Sequence, residues 1–334
     1  MNRLSKNYQD FIYLLACGIN SQKASVNRAR QMDFKALLKI ARHQNLVNVA
    51  YEPIKGICKD PEWIQAYEQG IRRSMLFDEE RKHIFDFMDA QKIWHAPLKG
   101  VVLQDMYPVF GMRQMADNDI PFDKNFANEV EAFMTKRGYK MHRSDMHDAY
   151  TKAPFYCFEM HNKIHICKTE NAFNDYFRNI ETRLISQNKT YQRSLSTQDL
   201  YLHVVMHLVN HLKKSYGGIK FLCDIYILNN FIIDDETSQI IQNLCQQLHI
   251  QNDEATLRCL ANKIFAKDFK LTKLSEEENK IINACFENGD QGNFQNYIRS
   301  KIKQNIFHPI KMAKLIKPGL KTWGLKNIIK GLKK

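Results

Sequence analysis

From the amino terminus to about residue 92, apolar residues recur at helical spacing. Asp33 is placed to cap a helix whose apolar positions are Phe34, Leu37, Leu38 and Ala41, an i, i+3, i+4, i+7 stripe. Pro61 suits a first helical turn. Between Trp63 and Lys92, Ile64, Tyr67, Ile71, Ile84, Phe85 and Met88 stand among charges, which predicts one long amphipathic helix with room for a single break. The pattern changes at Ile93. The stretch I-W-H-A-P-L-K-G is short, apolar and glycine-terminated, like a strand entering a turn. A short helix carrying Val101, Val102, Leu103 and Met106 follows, then a second strand within G-M-R-Q-M-A-D-N-D-I-P-F-D (111–123), then a helix over about 125–137 ending at Gly138. Y-C-F-E-M-H (156–161) and K-I-H-I-C (163–167) predict a hairpin turning near Asn162-Lys163. From Ser196 the helical period returns, with Ser196 as N-cap and Asp199 at N3, an acidic variant of the capping box. Helices continue from there, with loops near Gly217-Gly218, Asp234-Asp235 and Gly289–Gly292.

These elements predict an α+β chain in four parts: an N-terminal helical region (1–92), an α/β core (93–195), a C-terminal helical region (196–298) and a basic amphipathic tail (299–334). A length of 334 residues, 44% of them hydrophobic and 25% charged, suits two or three packed units and excludes a disordered or fibrous chain. No apolar run approaches the roughly 20 residues that span a bilayer. Leu14-Leu15-Ala16-Cys17 has the look of a lipoprotein processing box. Asp10 precedes it, however, and six apolar residues are too short a run for a secretory segment, so a first buried helix is expected. The eight cysteines lack any C-x-x-C pair and suit small buried hydrophobes in a reducing compartment, which points to the cytoplasm. The net charge of +13 is concentrated locally: beyond Asp290 there is no acid, while one arginine and ten lysines follow.

Asp117, Asp119 and Asp123 crowd three carboxylates into seven residues. On a strand, residues i and i+2 share a face with about 6.7 Å between their Cα atoms. Asp117 and Asp119 at that spacing can converge on divalent ions, whose charge removes the repulsion between them. Magnesium suits such a site, since it takes oxygen ligands and keeps its other positions for water or phosphate; the competing reading is a polar turn of solvated acids. Lys99-Gly100 ends the preceding strand, where glycine lets backbone approach a phosphate and lysine neutralises it. Arg113 could hold a triphosphate with its bidentate fork. Glu159, sharing a strand face with Cys157 and His161, offers a third acid able to bind an ion or draw a proton from an attacking hydroxyl. His203, His207 and His211 share a helix face. Spacing of i, i+4 is a zinc pattern, but no glutamate base accompanies them, and they read as lining a polar cleft or capping a core.

L-K-G-V-V-L-Q-D-M-Y-P, G-M-R-Q-M-A-D-N-D-I, the helix ending R-G-Y and the strand with E-M-H occur in an order that resembles the uncharacterised bacterial nucleotidyltransferase family of the DNA-polymerase-β-like superfamily. The similarity continues through L-S-T-Q-D, His207, His211 and G-I-K-F-L-C-D, covering roughly residues 35–230. It implies a small mixed-sheet palm between helical regions and transfer of a nucleoside monophosphate from an NTP, with Mg²⁺ or Mn²⁺ as cofactor. By resemblance, Asp117, Asp119 and Glu159 would be metal ligands and catalytic acids. Lys99, Gly100 and Arg113 would serve the phosphates, and His161, His207, His211 and Lys220 would face the nucleotide. Asp224 is expected either in the cleft or as a structural partner of Lys220, which stands where the family usually has arginine. Asn118 occupies a normally apolar position, and Pro121 requires the strand to be an edge or an end there. The acceptor is open among protein, RNA and small molecule. The alternatives are a catalytically degenerate nucleotide-binding or scaffold protein acting through its basic tail, and a toxin-like enzyme acting on tRNA. The tail, with Leu325, Ile328, Ile329 and Leu332 at helical spacing among lysines, suits a docked final helix, contact with RNA or an anionic membrane surface.

Overall fold

The computed structural model describes residues 4–144, 147–161, 171–187, 189–213, 217–232, 234–269 and 274–290. Its helices begin with α1 (Lys6–Ile19), α2 (Val26–Ala29), α3 (Phe34–Gln44), α4 (Val47–Tyr51) and α5 (Pro61–Ala90). Helix α1 is buried from Phe11 through Ile19 except for half-buried Tyr13, with Cys17 inside it. Asp33 caps α3 through its carboxylate, which accepts from the Ala36 N–H at 2.9 Å, and Pro61 opens α5 where its missing N–H has no helical partner to lose. Helix α5 runs unbroken for 30 residues, about 45 Å. The short α6 (Gly100–Leu103) and a 3₁₀ turn (Gln104–Met106) lead to strand β1 (Asn118–Pro121), and α7 (Ala127–Lys136) follows after a turn capped by Asp123.

The sheet is completed by β2 (Lys140–Arg143), β3 (His147–Lys152) and β4 (Tyr156–His161), in the order β1-β4-β3-β2. Strand β4 is parallel to β1 and antiparallel to β3. Residues 163–167, expected as its hairpin partner, lie outside the described residues; the antiparallel partner described is β3. Strand β1 forms the edge of this ladder, as Pro121 requires. The segment 94–98 lies along that edge without forming the expected regular strand. The N–H groups of Ala96 and Leu98 donate to the carbonyls of Pro121 and Asp119 at 2.8 and 3.0 Å, and the Asp123 N–H donates to the Trp94 carbonyl at 3.0 Å. Pro121 has no N–H to return to Ala96, so the pairing stays one-sided there.

After α8 (Asn171–Phe177) and the two-residue strands β5 (Ile185–Ser186) and β6 (Arg193–Ser194) come α9 (Thr197–Lys213), α10 (Lys220–Phe231), α11 (Asp235–Gln247), α12 (Gln251–Phe265) and α13 (Glu276–Asn288). Ser196 caps α9, its hydroxyl accepting from the Asp199 N–H at 3.2 Å and donating to the Asp199 carboxylate at 3.0 Å. The helices before and after the sheet share one apolar core, which joins Phe11, Leu15, Leu37 and Val49 to Leu202, Val205, Leu222 and Leu260. Buried Gln44 ties them further: its amide donates to the Cys285 carbonyl and accepts from the Ile219 N–H. A second core under the sheet joins Phe77, Ile84 and Met88 of α5 to Ile120, Tyr150, Phe158 and Met160. Helix α5 thus packs its first half in one core and its second half in the other. Residues 299–334, the basic tail, lie outside the described residues. No described helix is long and apolar enough to cross a membrane.

Candidate active site

Parallel pairing of β1 with β4 aligns Asp119 with Glu159 and Pro121 with His161. Register partners point to the same face, so the alternation that puts Asn118, Ile120, Phe158 and Met160 beneath the sheet turns Asp119, Glu159 and His161 out of it. Asp119 and Glu159 open into a cavity of about 420 Å³ lined also by Asp117, Lys99, Gly100, Arg113, His207, His211, Lys220 and Asp290, while His161 stands behind Asp119 and is not part of the lining. Asp117 and Asp119, and Glu159 some forty residues later, therefore share one cavity with His207 and His211 of α9 and the first residue of α10.

Lys99 reaches this cavity from a backbone with φ of +46°, in the left-handed range that a side chain rarely adopts. Its ammonium sits 2.9 Å from Asp119 Oδ1. The same oxygen lies 2.9 Å from His161 Nε2. Burial would raise the Asp119 carboxyl, but Lys99 and then His161 hold it well below the usual range. Burial would likewise lower Lys99 and His161; Asp119 keeps both above their ordinary values. Asp117 is exposed at the cavity, yet the protein packed around it, and then Asp119, push its carboxyl up to about 6. At Gly100, a Cβ would stand 2.8 Å from Met115 Cγ and 2.9 Å from its sulfur, so the tight entry to α6 needs glycine.

Arg113 requires a correction. Its Nε and Nη2 donate to the two oxygens of Asp224 at 2.7 and 2.8 Å, and Nη1 donates to the Gln114 carbonyl at 2.9 Å. The fork expected to grip a triphosphate is committed to a carboxylate of α10. Tyr107 adds a third bond to Asp224 at 2.7 Å, and Arg113 and Asp224 are 4% and 1% exposed. Asp224 is thus the partner of Arg113, whereas Lys220 pairs with Asp290. Burial lowers Lys220, and Asp290 opposes this.

His207 and His211 line the cavity with ring centroids 4.1 Å apart, and both pack against Phe221. Burial, and then Lys99, keep His207 well below its ordinary value and hence neutral. His203 is buried one turn earlier against Phe177. Asn118 turns away from the cavity, and its side-chain oxygen accepts from buried Arg81 of α5 at 2.6 Å. The polar residue at an apolar position is therefore satisfied from a helix 37 residues upstream.

The residue sequence reasoning missed is His147, which opens β3 opposite His161. Among the described residues, His147, Glu159 and His161 form a group whose ligand atoms all lie within 4.8 Å of one another. The aspartates stand outside that group, and Asp119 is linked to it through His161. The signal for His147 was the alternation of His147, Ala149 and Thr151, weakened by the polar Asp148 on the buried face.

A profile described as "Uncharacterised nucleotidyltransferase" matches residues 30–266, well over half of the chain and all of the sheet and cavity elements up to α12. No curated protein and no solved structure matches. An α+β scaffold with a small mixed sheet flanked by helices agrees with that match, and the chain belongs to the uncharacterised nucleotidyltransferase family.

Proposed function

We propose that this protein transfers a nucleoside monophosphate from an NTP to an acceptor hydroxyl or phosphate with the help of Mg²⁺. Family membership supports nucleotidyl transfer in general. The observation that carries the finer reading is the alignment of Asp119 with Glu159 in a cavity that also holds Asp117 and Lys99. Its volume of about 420 Å³ is within the range of small-molecule sites, about 300–1,000 Å³.

The donors suit a hard divalent ion. Asp119 Oδ1 already attracts an ammonium and an imidazole at 2.9 Å each, which marks it as a cation position, and Asp117 and Glu159 add carboxylate oxygens. Asp117, Asp119 and Glu159 would hold the ion, which would supply charge neutralisation to the triphosphate and its leaving group. Lys99, beside Gly100, would neutralise phosphate oxygen, and neutral His207 would offer a hydrogen bond to the nucleotide. The acceptor oxygen attacks the α-phosphorus, the bond from that phosphorus to the β-bridging oxygen breaks, and pyrophosphate leaves. The acceptor's proton passes to a carboxylate, for which Glu159 is suited. Arg113 acts here as a strut between the β1 approach and α10.

The test is incubation with Mg²⁺, each NTP labelled at the α-phosphate and cell extract. A labelled acceptor that disappears with Asp119→Asn supports transfer; no labelled acceptor with any NTP counts against it. One observation favours a second reading, nucleotide binding without transfer. Each cation lining the cavity is already paired: Lys99 with Asp119, Arg113 with Asp224 and Lys220 with Asp290. Saturable NTP binding with no labelled acceptor would favour it.

A further inference from the structure

Next to Asp119, three side chains converge without hydrogen-bonding one another well. His147 and His161 face each other across β3 and β4, and Glu159 lies on the same face, opposite Ala149, whose methyl leaves room above the strand. His147 Nε2 is 3.5 Å from Glu159 Oε1, and His161 Nε2 is 3.6 Å from Glu159 Oε2. Hydrogen bonds between such atoms run to about 2.7–3.2 Å, so these separations are too long. They match instead the spacing of two ligands on one ion, since atoms about 2.0–2.1 Å from a tetrahedral zinc lie roughly 3.4 Å apart.

We propose that His147, Glu159 and His161 bind a borderline divalent transition ion, with Zn²⁺ the best match. Two imidazoles and one carboxylate are the donor set of an open zinc site with a vacant fourth position. Imidazole nitrogen selects Zn²⁺ or Co²⁺ over Mg²⁺, which prefers oxygen. Asp119 Oδ1 lies 2.9 Å from the same His161 Nε2, so an ion bound there replaces that hydrogen bond. The site rests on its own geometry. Only its consequence rests on the nucleotidyl-transfer reading: it shares Glu159, so bound zinc withdraws that carboxylate from the magnesium centre and inhibits transfer.

The experiment uses the full chain, stripped of metal and without nucleotide. Co²⁺ is titrated in and its visible absorption followed, and Zn²⁺ and Mg²⁺ binding are measured by calorimetry. Saturation at one equivalent of Co²⁺ or Zn²⁺, with Mg²⁺ far weaker, is expected. His147→Ala and His161→Ala should each weaken Co²⁺ binding by at least about tenfold, whereas His142→Ala on β2 leaves it unchanged. Circular dichroism checks that each variant is folded. Should His161→Ala fail to fold, His147→Ala at the strand end still decides. Absent stoichiometric binding, binding untouched by His147→Ala, or equal affinity for Mg²⁺ overturns the site. A chain that binds Co²⁺ here but no NTP upholds this site and refutes the transfer reading, so the two fail separately.

Discussion

Asp224→Asn tests whether Arg113 is a strut or a phosphate ligand. Asparagine keeps the shape and one oxygen for Arg113 Nε, but turns an N–H₂ group toward Nη2, where two donors repel. The guanidinium, 4% exposed, then keeps its charge with no counter-charge in contact, and Tyr107 competes for the one remaining oxygen. Breaking a buried pair by removing one partner costs about 3–5 kcal/mol, and this pair, with its two direct bonds and third donor, belongs in that range. Urea denaturation followed by circular dichroism measures it. The double variant Arg113→Met/Asp224→Leu removes both charges and should recover most of the loss, since an apolar replacement of a buried pair is often close to neutral. Triphosphate affinity in that double variant should stay within a few-fold of wild type. A loss below about 1 kcal/mol in Asp224→Asn refutes the energetic reasoning. A drop of about tenfold or more in triphosphate affinity of the stable double variant, about 1.4 kcal/mol, means that Arg113 touches phosphate after all.

Asn118→Leu, which restores an apolar residue between the aspartates, should destabilise the chain by about 1.5–3 kcal/mol because Arg81 loses a buried acceptor; a more stable variant in urea contradicts the assignment. Glu80 is bound by Arg137 at 2.8 and 3.0 Å and by Lys152 at 3.3 Å. Burial would raise its carboxyl, but these partners hold it at about 2 rather than 4.5. A depressed carboxyl stabilises the fold above the unfolded pKa, so this stability is complete above about pH 4.5 and is lost as pH falls toward 2. Glu80→Gln should flatten that part of the stability–pH curve, and an unchanged slope counts against the pair. Gly70→Ala would ordinarily stabilise a helix by about 1 kcal/mol. In α5 the added Cβ stands 2.5 Å from Asn48 Oδ1 and 2.7 Å from Gln114 Nε2, so a net loss of about 1–3 kcal/mol is expected in thermal or urea melts.

What was legible in the sequence was local. Asp33, Pro61 and Ser196 mark helix starts within a turn of themselves, and Gly138 ends α7 with a positive φ. Y-C-F-E-M-H declares itself by apolar residues at Phe158 and Met160, Asn118 interrupts that pattern in the aspartate strand, and Pro121 places β1 at an edge. Strand β3 was missed because Asp148 occupies a buried position and leaves Tyr150 as the one fully buried apolar residue in H-D-A-Y-T-K. The partners of the charged groups were out of reach for a different reason. Arg113 meets Asp224 across 111 residues, and Asn118 meets Arg81 across 37, through packing that no spacing rule encodes. A side chain's type shows what it can bind; only the fold shows which of its possible partners reaches it first. Lys220 illustrates this: Asp224 is four residues away on the same helix, yet its ion pair is with Asp290.

The central claim is that Asp119 is a cation position serving a triphosphate. Its most direct test is NTP binding by wild type and Asp119→Asn across a Mg²⁺ titration, each variant checked for folding. Wild-type affinity should rise by about tenfold or more, about 1.4 kcal/mol, as Mg²⁺ saturates, and Asp119→Asn should give a flat line. An Asp119→Asn protein whose NTP affinity climbs with Mg²⁺ as steeply as wild type contradicts the account.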